Sequence, residues 1–192
     1  DIPFLPIELF KTHKIVTGSG AVARIFESSS TTGSGLSKHY IQDLDFCKSS
    51  FLNCFEHFYG PIDQFVFLAL LPGYTERKTS SLVFMVQSLM DVSSRKEDCL
   101  FTTDFKKLYI QLEKYIATSQ KVILIGVTWA LLDFAREKSL LLSDNIVLME
   151  TGGMKGRKKE LTRPEVHELL RKSFGASQIH SEYGMTELLS VA

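Results

Sequence analysis

The sequence predicts an α/β domain with a doubly wound, mostly parallel sheet flanked by helices. Residues 65–71 and 122–125 are unbroken apolar runs, the pattern of strands buried on both faces. Apolar residues between and after these runs recur at helical spacing. Strands and helices therefore alternate along the chain, as right-handed crossovers in a parallel sheet require.

The run at 65–71 ends at Pro72-Gly73, where a sheet ladder is not continued. Ser80 is a helix N-cap, and Leu82, Val83, Val86, Leu89 and Met90 follow on one side of the helix it opens. Cys99-Leu100-Phe101 is a weaker strand. Phe105, Leu108, Tyr109, Leu112, Tyr115 and Ile116 then repeat at the helical period. Residues 122–125 form the second buried strand, with Gly126 as its stop. A helix through Leu131, Leu132 and Ala135 leads to a strand at 146–149. Thr162 and Glu165 spell a capping box with Pro164 in the first turn, and Val166, Leu169, Leu170 and Phe174 give that helix its stripe. Residues 177–180 make a short closing strand. No repeat or linker divides the chain, so residues 1–192 read as one domain.

A chain of 192 residues with 44% hydrophobic and 11% aromatic content is globular rather than disordered. Lys+Arg and Asp+Glu balance at 22 each, which makes no electrostatic case for nucleic acid or an anionic membrane as partner. No apolar run approaches the roughly 18 residues of a membrane span, and the opening Asp1-Ile2-Pro3-Phe4 is not a signal peptide. Cys47, Cys54 and Cys99 make no disulfide framework and no CxxC pair, which fits a reducing, cytoplasmic setting. The first residue is not methionine and the chain ends five residues after Glu187, so a piece of a longer protein is expected.

Three loops that follow strands carry residues suited to chemistry, because ligands in open α/β sheets bind beyond the carboxyl ends of the strands. The first is residues 26–35, with Ser29, Ser30, Thr31, Thr32 and Gly33 at its centre. Open backbone N–H groups and hydroxyls can wrap polyphosphate oxygens, although the same composition describes a flexible linker. No Gly-Lys-Ser/Thr closes it, and Lys38 is in the wrong register, so it is not a P-loop. The second is residues 149–157, where Gly152 and Gly153 let backbone approach a flat ligand, or simply turn the chain. The third is residues 180–187. There Tyr183 offers a ring for stacking, Thr186 a hydroxyl and Glu187 a carboxylate able to hold Mg²⁺. Taken singly, Tyr183 equally suits a core, Glu187 a helix start and His180 a structural role.

In order, a Ser/Thr/Gly loop, a Gly-Gly turn and Tyr183-Gly184-Met185-Thr186-Glu187 resemble the adenylate-forming superfamily of acyl-CoA synthetases, luciferases and adenylation domains. The chain is most similar to its acyl-protein synthetases of bacterial luminescence, the long-chain-fatty-acid–luciferin-component ligases. That likeness lies in residues 2–11, in Phe26-Glu27-Ser28-Ser29-Ser30-Thr31-Thr32-Gly33 and in Glu150-Thr151-Gly152-Gly153-Met154-Lys155-Gly156-Arg157. The resemblance implies part of the large N-terminal domain of those enzymes. It implies that Ser29, Ser30, Thr31, Thr32 and Gly33 hold ATP phosphates, and that Gly152, Gly153 and Tyr183 line the adenine. Thr186 and Glu187 would be catalytic, Glu187 binding Mg²⁺. The reaction implied is ATP-dependent activation of a fatty acid with transfer to a protein thiol, an acyl-reductase or acyl-carrier protein being the partner.

The ribose-binding acid, the lysine-bearing lobe and the acceptor cysteine of those enzymes have no match here. The 192 residues alone are therefore expected to be a poor catalyst. An acyl- or aryl-CoA ligase, and a non-catalytic nucleotide-binding module, remain as alternatives. Phe84, Phe101 and Trp129 are candidates for an acyl tunnel, with core packing as the other reading.

Overall fold

The computed structural model describes residues 4–29, 35–72, 78–138, 140–152 and 161–189. It is an α/β structure built on a five-stranded parallel sheet flanked by helices. After the short helix α1 (Leu9–Thr12), strands β1 (Arg24–Glu27) and β2 (Lys38–Ile41) pair as an antiparallel hairpin. Helix α2 (Leu44–Tyr59) follows. Then come β3 (Phe65–Leu70), α3 (Ser81–Val92), β4 (Leu100–Thr102), α4 (Phe105–Ile116), β5 (Lys121–Val127), α5 (Thr128–Glu137), β6 (Ile146–Thr151), α6 (Arg163–Phe174) and β7 (Ile179–Ser181).

The strand order is β4-β3-β5-β6-β7. The chain therefore steps outward once, from β3 to β4, then crosses β3 and runs the other way. Every residue of β3 is buried, and so is every residue of β5 after Lys121. Strands with apolar side chains on both faces need helices on both. In β3, Phe65 and Phe67 point to one face, where Phe55 of α2 meets them at centroid distances of 5.4 and 5.5 Å. Phe51 of α2 in turn packs edge-on against Phe84 of α3. The opposite face is taken by α5, whose Leu131 lies over Gly126, and Phe134 of α5 joins Phe105 of α4 to Phe174 of α6.

Two helix starts follow the caps read from sequence: Ser80 Oγ accepts from the Val83 N–H, and Glu165 accepts from the Thr162 N–H at 2.7 Å. A third cap, not read there, is Asp104, which accepts from the N–H groups of Lys106 and Lys107. Helix α2 and the β1–β2 hairpin are additions to the sequence reading. The signal for α2 was present: Asp43 caps it through the Phe46 N–H, and Cys47, Phe51 and Phe55 form its buried stripe. Lys38 stands in β2, 3.6 Å from Glu27 across the hairpin. The closing strand runs at 179–181 rather than 177–180.

Gly126 does not stop β5, which continues through it to Val127. Its role is close approach: a Cβ there would lie 2.7 Å from Leu131 Cγ and 2.8 Å from Cδ2. Leu131 is fully buried and has no room to withdraw. We predict that Gly126→Ala lowers unfolding free energy by about 1–3 kcal/mol through overpacking. Urea denaturation checks this, and an unchanged midpoint with unchanged slope would show that α5 can shift at no cost.

Candidate functional site

The described ends of the three loops read from the sequence lie at the carboxyl end of the sheet. Residues 28 and 37 close the neck of the first loop: Ser28 N–H donates to the Ser37 carbonyl at 3.0 Å, and Ser37 N–H donates to Ser28 Oγ at 2.9 Å. Ser29 is exposed just beyond that neck, while Ser30, Thr31, Thr32 and Gly33 lie outside the described residues. The hairpin is held to the main sheet at two points. Glu27 N–H donates to the carbonyl of Thr79, in the connection that follows β3, and His39 of β2 hydrogen-bonds through Nδ1 to the Thr186 carbonyl at 2.9 Å. The second contact ties the hairpin that carries the first loop to the third motif, although 147 residues separate the two in sequence.

Gly152 and Tyr183 come together. Both line a cavity of about 340 Å³ at the ends of β6 and β7, with Thr128, Arg163 and Gly184 among its other walls. Gly152 has φ of +78°, a conformation that a side chain would strain. Gly153 lies outside the described residues. Tyr183 is 55% exposed, so it is not a core aromatic, and its hydroxyl donates to Met185 Sδ at 3.1 Å. Thr186 and Glu187 form a half-buried turn and do not line this cavity. Among the described residues, no three His, Cys, Asp or Glu side chains gather as a metal site. A Mg²⁺ ion held by Glu187 would take its remaining ligands from phosphate and water, as Mg²⁺ commonly does.

Beneath this cavity is a polar network that the sequence did not reveal. Glu150, buried at the end of β6, accepts from Thr128 Oγ1 at 2.6 Å and from Ser181 Oγ at 2.5 Å. His167 Nε2 stands 3.1 Å from Ser181 Oγ and 3.6 Å from Glu150 Oε1. One nitrogen serves both neighbours, so this is not the relay of a hydrolytic triad, which uses the two ring nitrogens separately. Glu182 accepts from Thr151 Oγ1. Burial pushes the Glu182 carboxyl above its ordinary range; the Thr151 hydrogen bond opposes that shift and the Glu150 charge adds to it.

The other side of β7 is apolar. His180 pairs in register with Met149 and Ser181 with Glu150, so successive residues of β7 face opposite sides. On the His180 side lies a cavity of about 410 Å³, bounded by Phe51, Phe55 and Phe58 of α2, by Met85 and Leu89 of α3, and by Ile123, Ile125 and Met149 of the sheet. Phe84, Phe101 and Trp129 do not line it. Phe84 and Phe101 pack against the core and Trp129 is buried within it. Cys47 is buried and Cys54 and Cys99 half-buried, with Cys54 on the cavity wall. Among the described residues no helix is long and apolar enough to cross a membrane. No protein-family model matches the chain, and no curated protein or solved structure matches it.

The raised Glu182 pKa sets a sign for stability. Between its unfolded value and its folded value, the folded chain holds a proton that the unfolded chain has released. The Glu182 contribution is therefore fully present below the unfolded pKa and is lost as pH rises through the folded pKa. We predict that Glu182→Gln, which keeps an acceptor for Thr151, removes this loss and makes the variant relatively more stable toward neutral pH than near pH 4. Urea melts of both proteins across that range check the prediction. A constant difference at all pH values would show that Glu182 titrates as it does in the unfolded chain.

Proposed function

We propose that this chain is the nucleotide-binding part of an ATP-dependent, adenylate-forming enzyme that activates a fatty acid and passes it to a protein thiol. The observation that carries the reading is that described residues of the second and third motifs share a cavity at one end of the sheet, with the hairpin beside the first motif tied to the third. Gly152 and Tyr183 share a cavity, and His39 ties the hairpin of the Ser/Thr/Gly loop to Thr186. A polyphosphate loop, a flat cleft with an aromatic ring and a turn ending in Thr-Glu make the set that binding ATP and polarising it require. The strand order reverses between β3 and β5, and doubly wound sheets bind nucleotides at such a switch. In this reading the sheet is part of the large N-terminal domain of an adenylate-forming enzyme.

The apolar cavity supports an aliphatic acid. Its volume of about 410 Å³ falls in the range of small-molecule pockets, roughly 300–1,000 Å³. It shares Glu182 with the polar cavity, so an acyl chain on one side of β7 and a nucleotide on the other can bring their reacting ends together at that strand's tip.

In the reaction, a carboxylate oxygen attacks the α-phosphorus of ATP, the bond to the β-phosphate oxygen breaks, and acyl-adenylate and pyrophosphate form. A thiolate then attacks the acyl carbon and AMP leaves, giving a thioester. Mg²⁺ would offset phosphate charge. The protein's own part is to position the reactants and fix dipoles. Backbone N–H groups of the first loop hold the phosphates, Gly152, Gly153 and Tyr183 enclose the adenine, and Thr186 and Glu187 orient the phosphate–metal group.

ATP–Mg²⁺ is predicted to stabilise the chain by about 3 kcal/mol at 100-fold excess over Kd, with no comparable effect of GTP. Gly152→Val and Tyr183→Ala should weaken that gain, and Glu187→Gln should remove its Mg²⁺-dependent part. Thermal melts read all of these, and equal stabilisation by GTP would remove the adenine assignment. The reaction itself is read by ATP–pyrophosphate exchange with palmitate on the protein as the cell makes it. There Glu187→Gln should slow exchange on the order of 10²–10³-fold, and normal exchange would overturn its role.

A further inference from the structure

We propose that Tyr59 and His180 form the head-group site of the apolar cavity, a polar corner that registers the carboxylate of a long-chain fatty acid. The proposal rests on the reading of the protein as an acid-activating enzyme and adds to it the residues that hold the acid.

The wall of the cavity offers few polar groups, and most face away. The Ser181 hydroxyl donates across to Glu150 on the nucleotide side of β7, and the Glu182 carboxyl, which lines both cavities, accepts from Thr151. Tyr59, the last residue of α2, and His180 of β7 instead hydrogen-bond to each other, Oη to Nδ1, at 2.6 Å, and their rings lie 5.6 Å apart. Tyr59 is fixed by stacking on Phe55 at 4.8 Å. Among the described residues His180 has one other contact of this kind, a 3.4 Å approach of Nε2 to Gln178 Oε1.

This pair always has a proton to give. If the phenol donates to Nδ1, the neutral imidazole carries its hydrogen on Nε2, and a carboxylate takes that donor in place of the long approach to Gln178 Oε1. If Nδ1 donates, the phenol hydrogen is left over. Either arrangement supplies a donor to a carboxylate while the pair itself stays uncharged. Burial, together with the nearby His167, holds the His180 imidazole below its ordinary pKa, and burial raises that of the Tyr59 phenol, so both stay neutral near pH 7. Donors in an apolar surround bind an anion more strongly than the same donors in water. The position also suits the chemistry: His180 is two residues from Glu182, the residue common to both cavities, so a carboxylate held there sits beside the nucleotide cavity while its chain lies among Phe51, Phe55 and Met149.

The site predicts discrimination between an acid and the matching alcohol. Binding of palmitate and of hexadecanol is measured by displacement of a fluorescent fatty-acid probe from the chain without ATP. Wild type should bind palmitate more tightly than hexadecanol. Tyr59→Phe, which keeps the stacking ring, and His180→Leu, which keeps bulk but no donor, should each weaken palmitate by roughly 10- to 100-fold, the range of a hydrogen bond to a charged group. Hexadecanol affinity should stay within about 2-fold of wild type, well under the tenfold of a lost hydrogen bond, which also shows that each variant is folded. Equal losses for both ligands, no loss for either, or no palmitate binding by wild type would overturn the proposal. ATP plays no part in the measurement. Retained acid discrimination without any ATP-induced thermal shift would therefore remove the adenylation reading and leave the head-group site standing.

Discussion

Burial of β3 and β5 on both faces is the constraint on which the rest of the structure depends. Strands with no polar face cannot lie at a surface, so helices must cover both sides. Phe65 and Phe67 take α2 on one face, while Gly126, bare of a side chain, takes Leu131 of α5 on the other. Parallel pairing then follows, because each helix carries the chain back to the start of the next strand. The consequence for function is geometric. All five carboxyl ends point the same way, and the connections that leave them crowd into one region.

Within that region a second alternation divides the chemistry. Successive residues of a strand face opposite sides, and β7 uses this to separate two environments. Ser181 joins Glu150, Thr128 and His167 in a polar network, and His180 one position earlier closes an apolar cavity with Tyr59. Glu150 accepts two O–H groups and has His167 Nε2 at 3.6 Å, which lets its carboxyl group stay buried at the end of β6. Glu182 is less well served, with one hydroxyl donor and a second carboxylate nearby, and burial moves its pKa accordingly.

Much of the architecture was legible because its signals are local. Ser80 and Thr162 each precede a helix and can satisfy its first N–H groups from a distance of three residues. The apolar runs of β3 and β5 are equally plain. Where the reading stopped short, the cause was also physical. Gly126 looks like a terminator because glycine usually breaks a strand pattern, yet here it admits Leu131 from a helix beginning two residues later. The β1–β2 hairpin is only four residues a side and its strands mix charged and apolar residues, so no run marks it. Phe84, Phe101 and Trp129 were candidates for an acyl tunnel by residue type alone, and packing put other aromatics on the cavity wall.

The sequence by itself determined the periods, the caps, the two strands buried on both faces and the three loops rich in glycine, hydroxyl and acid, because each is written within a few neighbouring residues. Only the tertiary structure decided which of these meet. His39 reaches Thr186 across 147 residues, Tyr59 reaches His180 across 121, and Thr128 of α5 and Ser181 of β7 close on Glu150. Contacts of that span depend on strand order and register, which are set by how whole faces pack. No local pattern encodes which loop will lie beside which, and a change of one residue in the register of β7 would exchange its polar and apolar sides.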